Sequence, residues 1–305
     1  MQKVLFTGGS SLLALNWAYL IRDKHQVYLG IHDRNACLLG VHSIPLILND
    51  INKLIKQVDS IRPNLIINTT GLTSVEACES NPILAKQVNV KFATNIACVA
   101  RELNIPLVHI STDHLFSGLN KNESEASEPC PVNEYGKSKL AAERLILELN
   151  SSALILRTNF YGWGSSFKQS FSDWIISQLR TKKQINVFSD VFYTPILISN
   201  LVKIAHQLLD RSASGIYNVI GSERLSKYDF AVSLAQVFNL PQDLLIPSSI
   251  TEARHLVKRP KDMSLSNLKL KNELGCDIPD TISSLRELLS QEKNGLRNEI
   301  FNSIF

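Results

Sequence analysis

Lys3-Val4-Leu5-Phe6-Thr7-Gly8-Gly9-Ser10-Ser11-Leu12-Leu13-Ala14 decides how the chain folds. An apolar strand runs into a glycine pair and, through two serines, into an amphipathic helix over 12–23. That strand–turn–helix junction opens a βαβ unit. The same rhythm repeats outward from it. Short Val/Ile/Leu runs at 26–31, 64–68, 106–111 and 153–157 alternate with helical patterns at 51–61, 82–104 and 133–150. Nearly continuous apolar strands are those buried on both faces, so the reading is a doubly wound, Rossmann-type α/β fold. Such sheets take ligands at the carboxyl ends of their strands.

Past residue 158 the alternation loosens. Asn159-Phe160-Tyr161-Gly162-Trp163-Gly164 leads into helical patterns at 171–179, 198–210, 226–238 and 281–291, with a short strand at 215–219. Residues 240–249 and 259–264, polar and proline-bearing, read as loops. The expected division is a nucleotide-binding domain of residues 1–158 with about 190–220. A smaller, irregular C-terminal lobe at about 159–189 and 221–292 covers its strand ends, and 293–305 forms a loose tail. The 305 residues suit two such units at roughly 150 residues per domain. With 32 basic and 28 acidic residues the charge is +4 and lies in no basic block, which argues against nucleic acid as partner. Five scattered cysteines form no CxxC pair, so neither a disulfide framework nor a metal site is expected. No signal-peptide pattern and no run of roughly 20 apolar residues occurs, so the expected setting is cytoplasmic, with no membrane partner.

The first turn is where a dinucleotide-binding sheet seats its phosphates on backbone N–H groups and a helix N-terminus. In the Gly-x-x-Gly-x-x-Gly spacing the three places are Gly8, Ser11 and Ala14, so one glycine of three survives. Ser10, Ser11 and Leu12 complete the candidate cradle; the alternative is a junction that binds nothing. The second strand ends in His32-Asp33-Arg34, where an arginine can pair with a ribose 2′-phosphate. His32 and Arg34 therefore lean toward NADPH, with NADH as the alternative. Asp50-Ile51 is placed to meet an adenine, or Asp50 merely caps the next helix. Asn68-Thr69-Thr70-Gly71 ends the third long strand in small residues that let a cofactor lie close.

Tyr135-Gly136-Lys137-Ser138-Lys139 opens a helix on which residues four apart share a face, so Tyr135 meets Lys139. An ammonium beside a phenol lowers the phenol's pKa, and a tyrosine so placed can pass a proton to a carbonyl oxygen. Ser111-Thr112-Asp113-His114 ends the preceding strand, and a hydroxyl there can polarise that carbonyl.

Together these segments resemble the extended short-chain dehydrogenase/reductase superfamily, in its dTDP-4-dehydrorhamnose reductase-like branch. The resemblance runs from Val4 to about Leu289. It includes Asn68-Thr69-Thr70, Val75-Glu76-Ala77-Cys78-Glu79, Val88-Asn89, Ser111-Thr112-Asp113 with Phe116 and Gly118, Tyr135 to Lys139, Arg157-Thr158, Gly215-Ile216-Tyr217-Asn218 and Arg259-Pro260. It implies a catalytic trio of Thr112, Tyr135 and Lys139. Cofactor contacts would come from Gly8 and its neighbours, Asp50, Ile51, Thr69, Thr70, Gly71, Asn89, Ser111, Tyr135 and Arg157, and from Lys139, which would also hydrogen-bond the nicotinamide ribose. His114, Asn159, Trp163 and Arg259 would meet a nucleotide-diphosphate sugar, with Phe167, Lys168, Trp174 and Arg224 as further aromatic and cationic candidates. The implied reaction is reduction of the C4 ketone of a nucleotide-linked 4-keto-6-deoxyhexose, in deoxysugar and cell-surface polysaccharide biosynthesis; a homodimer is compatible with it.

The chain departs from the branch in its glycine loop, in His114 where the branch usually has tyrosine, and in the aromatic 159–164 segment. Two other functions stay open. One is a catalytically weak nucleotide-binding regulatory subunit, as in the methionine adenosyltransferase β subunit. The other is an epimerase–reductase, which needs further acid–base groups such as His114 or Cys130. A dehydratase would want a second acid after Asp113, where His114 stands.

Overall fold

The computed structural model describes residues 1–253 and 255–305. The first half comprises β1 (Lys3–Phe6), α1 (Leu12–Ile21), β2 (Gln26–Ile31), β3 (Val41–Pro45), α2 (Ile51–Ile61) and β4 (Leu65–Asn68). Next come α3 (Val75–Ser80), α4 (Pro82–Ala85), a π-helical turn (Lys86–Lys91), α5 (Phe92–Glu102), β5 (Leu107–Ile110), α6 (Glu134–Leu149) and β6 (Leu154–Arg157). The second half holds β7 (Phe160–Tyr161), α7 (Phe171–Arg180), β8 (Ile185–Phe188), β9 (Phe192–Tyr193), β10 (Ile196–Leu197), α8 (Ile198–Asp210) and β11 (Gly215–Asn218). It closes with β12 (Leu225–Ser226), α9 (Lys227–Val237), β13 (Leu245–Ser248), α10 (Leu268–Leu274), α11 (Thr281–Lys293) and α12 (Leu296–Phe301).

Seven strands form one parallel sheet in the order β11-β6-β5-β4-β1-β2-β3. Alternate residues of each strand go to opposite faces. Val4, Phe6, Ile67, Val108, Leu154 and Leu156 join Leu13 and Trp17 of α1 and Leu201 and Leu208 of α8. Leu5, Ile66, Leu107 and Ile155 face Leu54 of α2, Ile96 of α5 and Ile146 of α6. The chain order reverses between β1 and β4, so the loops after these strands flank a topological switch point. The first core continues into the second half through Ile175, Ile176, Phe230, Leu234, Leu285 and Leu288.

The Rossmann-type fold and its strands follow the sequence expectation, but four local expectations are corrected. Val41–Pro45 is an edge strand paired to β2, and its half-exposed side chains and terminal proline left little pattern to read. The 82–104 helix is composite: Asn81 caps Pro82–Ala85, and a π-helical turn precedes α5. Residues 240–249 contain β13, which pairs in parallel with β8. The 293–305 tail is docked: Leu296 and Ile300 are buried, Ala36 bridges Ile304, and Arg22 pairs with both carboxylate oxygens of Glu299.

Arg157 is also corrected. It is buried and forms a bidentate pair with the equally buried Glu143 of α6, at 2.7 Å for the shortest contact, so it braces β6 against that helix, while its Nη1 has no partner within the protein. Glu143→Ala leaves the Arg157 charge alone in the interior, and we expect a loss of about 3–5 kcal/mol in urea unfolding. The joint change Glu143→Leu with Arg157→Met should recover most of that loss; an unchanged single variant contradicts the assignment.

Candidate active site

Three segments converge at the carboxyl ends of β1, β4 and β5. After β1, a Cβ on Gly8 would lie 2.7 Å from the Thr69 and Thr70 backbone, so only glycine lets the two loops touch. Ser11 caps α1, accepting from the Ala14 N–H at 3.2 Å and donating to Thr69 Oγ1 at 3.1 Å. Thr69 and Thr70 donate in turn to the Gly8 and Thr7 carbonyls at 3.1 and 2.7 Å. Their hydroxyl protons therefore lock the loops together. Among the described residues, the backbone N–H groups of Ser10, Leu12 and Leu13 have no partner within the protein, which leaves donors for an anion at the N-terminus of α1. The Leu12 side chain is in the core.

The other cofactor candidates separate. Arg34 is exposed, with its guanidinium 3.6 Å from the Phe167 ring centroid, and His32 pairs with Asp33 at 2.6 Å. Lys168, beside Phe167, donates to Thr73 Oγ1 at 2.6 Å, so this segment spans from the end of β2 to the loop after β4. Asp50 caps α2 by accepting from the Lys53 N–H at 3.1 Å, and Ile51 packs on the second core. Gly71 lies in the loop after β4 with room for a Cβ beside Asn89 Oδ1, at 3.4 Å. Asn89 is corrected: it is fully buried in the π-helical turn, and its amide binds the Leu72 N–H and carbonyl and Ser138 Oγ. It joins the loop after β4 to α6. Ser111 Oγ is buried at the end of β5 without a partner.

α6 starts at its Asn133 cap, whose Oδ1 accepts from the Gly136 N–H at 2.9 Å. A Cβ on Gly136 would fall 2.3 Å from the His114 carbonyl oxygen. The missing side chain lets α6 press onto the 112–114 loop and brings Tyr135 beside Thr112. Tyr135 is buried, and its ring meets His114 edge-on at 5.5 Å between centroids. Burial pushes the Tyr135 phenol up to about 12, against the opposing pull of the Thr112 hydroxyl. The expected effect of Lys139 on the phenol is absent, because Lys139 Nζ is bonded elsewhere: to the Ile110 carbonyl at 2.7 Å and His109 Nε2 at 3.3 Å.

Next to this trio lies a cavity of about 330 Å³, lined by His114, Asn159, Phe171, Trp174, Asn186, Val187, Phe188, Val191, Lys227, Ile250, Arg259 and Met263. Asn159 Nδ2 holds Asp113 Oδ2 at 2.5 Å. Arg259 reaches Glu76 at 2.5 Å and keeps its place on the cavity wall. Lys227, absent from the sequence reading, stands over the Tyr193 ring at 3.3 Å. Burial pushes its ammonium down to about 8, and Asp113 pulls the other way. Nothing in Ser226-Lys227-Tyr228-Asp229 beyond a helix cap hinted at it. Trp163 is corrected: it is fully buried between Phe238 and Arg297 as core. Arg224 pairs with Asp262, and Cys130 is exposed and not on the cavity wall. A depression of about 450 Å³ at the amino ends of β4 and β5 is remote from these groups.

A parallel sheet with a phosphate-type turn, together with Thr112, Tyr135 and Lys139 at the strand ends, defines the extended short-chain dehydrogenase/reductase class, whose members are NAD(P)-dependent oxidoreductases. The RmlD substrate binding domain profile matches residues 1–294, and the chain belongs to that family of dTDP-4-dehydrorhamnose reductase-like proteins. The probable low-salt glycan biosynthesis reductase Agl14 of Haloferax volcanii is 29% identical over 92% of this chain and 95% of its own. Methionine adenosyltransferase 2 subunit beta of Pongo abelii is 29% identical over 88% and 82%. The dTDP-4-dehydrorhamnose reductase of Bacillus anthracis, solved in complex with NADP, superposes with a TM-score of 0.85 over 95% of this chain and all of its own, at 24% identity. Among the described residues no helix is long and apolar enough to cross a membrane.

Gly136→Ala should push α6 off the 112–114 loop. We expect a loss of about 1–3 kcal/mol in thermal or urea unfolding, whereas a neutral effect would mean that the contact is slack.

Proposed function

We propose that the protein reduces the C4 ketone of a nucleotide-linked 4-keto-6-deoxyhexose, with NADPH, or NADH, as the reductant. The observation that carries the reading is the buried Tyr135 beside Thr112 and against His114, a wall residue of a cavity that Lys227, Arg259 and aromatic rings also line. The residues fit a dinucleotide: open N–H donors at α1, an unpartnered Ser111 hydroxyl and Arg34 at the end of β2. When bound, the nicotinamide supplies the hydride. Tyr135 gives its proton to the forming alkoxide, and a phenol held near 12 is loaded for that task throughout the neutral range. Thr112 holds the same oxygen. Lys227 and Arg259 face the diphosphate, and Phe171, Trp174 and Phe188 offer apolar surface to the base. In this reading residues 1–158 with about 190–220 carry the cofactor, the remaining lobe carries the sugar nucleotide, and the five free thiols suit the reducing cytoplasm.

The test is loss of NADPH absorbance with a panel of dTDP-, UDP-, GDP- and CDP-linked 4-keto-6-deoxyhexoses. Turnover is expected with at least one. Tyr135→Phe should cut kcat roughly 10²–10⁴-fold. Lys227→Met should raise KM by roughly tenfold or more while sparing kcat, as loss of a charged hydrogen bond does. The similarity to the methionine adenosyltransferase subunit favours a second reading, a nucleotide-binding regulatory subunit. NADPH binding without turnover of any sugar in the panel would select it.

A further inference from the structure

His109 lies on β5 beneath the site, fully buried, and takes no part in the reaction above. Its Nδ1 is 2.9 Å from Asn68 Nδ2 and its Nε2 is 3.3 Å from Lys139 Nζ. The Asn68 amide has one orientation. Its Oδ1 accepts from Thr7 Oγ1 at 2.9 Å and from the Thr70 backbone N–H at 3.0 Å. A backbone N–H only donates, so the oxygen must lie on that side and the NH₂ must face His109. His109 Nδ1 therefore accepts and carries no proton. Burial keeps the imidazole neutral, far below its usual pKa, so its single proton sits on Nε2. That N–H points at Lys139 Nζ. An ammonium offers donors alone, and two donors would oppose each other. A neutral amine satisfies every contact: it accepts from His109 Nε2–H and donates to the Ile110 carbonyl at 2.7 Å.

We propose that His109 is a positioning residue for Lys139: its Nε2–H favours the neutral amine of the lysine, turned away from Tyr135, over the ammonium that an oxygen-rich ligand would draw out. The ligand is the dinucleotide of the reading above, on which this clause rests. The groups that bear on Lys139 are His109 and the Ile110 carbonyl from β5 and Glu143 from its own helix, which is paired with Arg157 of β6. Glu143 favours the ammonium, but Arg157 engages both its oxygens, and burial wins, bringing Lys139 down to about 8. Above that pH each binding event takes one proton from solvent onto Nζ. Affinity should then fall by up to about tenfold per pH unit.

The first test is NMR on the free protein with ¹⁵N-labelled histidine and ¹³C-labelled lysine, with Lys139 assigned through Lys139→Arg. His109 should show a pyrrole-type Nε2 and a pyridine-type Nδ1 across the neutral range. Lys139 should titrate near 8. His109→Gln, whose amide oxygen can accept from an ammonium, should raise that midpoint by at least about one unit. An Nδ1–H tautomer, a charged His109 at neutral pH or a Lys139 that stays protonated past pH 10 would overturn the proposal. If His109→Gln does not fold, the wild-type tautomer and midpoint decide. The second test is calorimetry of NADPH binding in two buffers of different ionisation enthalpy at about pH 9. Net proton uptake is expected, smaller in His109→Gln; binding without uptake overturns the proposal. Absence of NADPH binding counts against the functional reading, and the NMR measurements still judge His109.

Discussion

The Asn68 side chain is the constraint on which the site depends. It sits, fully buried, at the switch point where β1 and β4 lie side by side. Its oxygen gathers the Thr7 hydroxyl and the Thr70 N–H, and its nitrogen holds His109, which holds Lys139. One amide thus ties the ends of β1 and β4 to β5 and α6. Buried polar groups are costly unless each finds a partner, so a chain in which every member is satisfied admits few alternatives. The order of these bonds fixes the relation between the phosphate-type turn and the reacting end.

Much of this was legible in the sequence because it obeys simple periods. Strands buried on both faces read as apolar runs, and Tyr135 and Lys139 share a helix face by spacing alone. What spacing could not convey was direction. The side chain of Lys139 lies along the correct face, but its nitrogen turns to His109 and Ile110 instead of the phenol. The choice is made by β5, a partner 29 residues away whose donors a helical pattern does not describe. Arg157 and Asn89 mislead in the same way. Each stands where a ligand contact is expected and is bound to an internal partner, Arg157 through two of its nitrogens to Glu143 and Asn89 to Leu72 and Ser138.

The second half was harder to read for a related reason. Its paired strands are two to four residues long, and β13 carries a proline. Segments that short owe their structure to their partners. Lys227 illustrates the point: in sequence it is the first residue of a capped helix, and only the fold brings it over Tyr193 and toward Asp113. The tail, without a periodic pattern, is held by contacts to residues near 22, 36 and 166 that no local window contains.

The glycine loop shows how a motif can lose residues and keep its geometry. Two close approaches need glycine: Gly8 against the 69–70 backbone, and Gly9 against Leu29, where a Cβ would fall 2.6 Å from the Leu29 Cβ. Both are present. At position 11 the chain has a serine whose hydroxyl caps α1 and reaches Thr69, so the side chain is folded into the loop's own bonding. The cap consumes the Ala14 N–H and leaves those of Ser10, Leu12 and Leu13 open. Rigidity that a glycine-rich turn gains from close packing is supplied here by three hydroxyls: Ser11 bonds Thr69, which bonds the Gly8 carbonyl, and Thr70 bonds the carbonyl and hydroxyl of Thr7. The loop has exchanged backbone freedom for side-chain ties, and the donors that face outward are preserved.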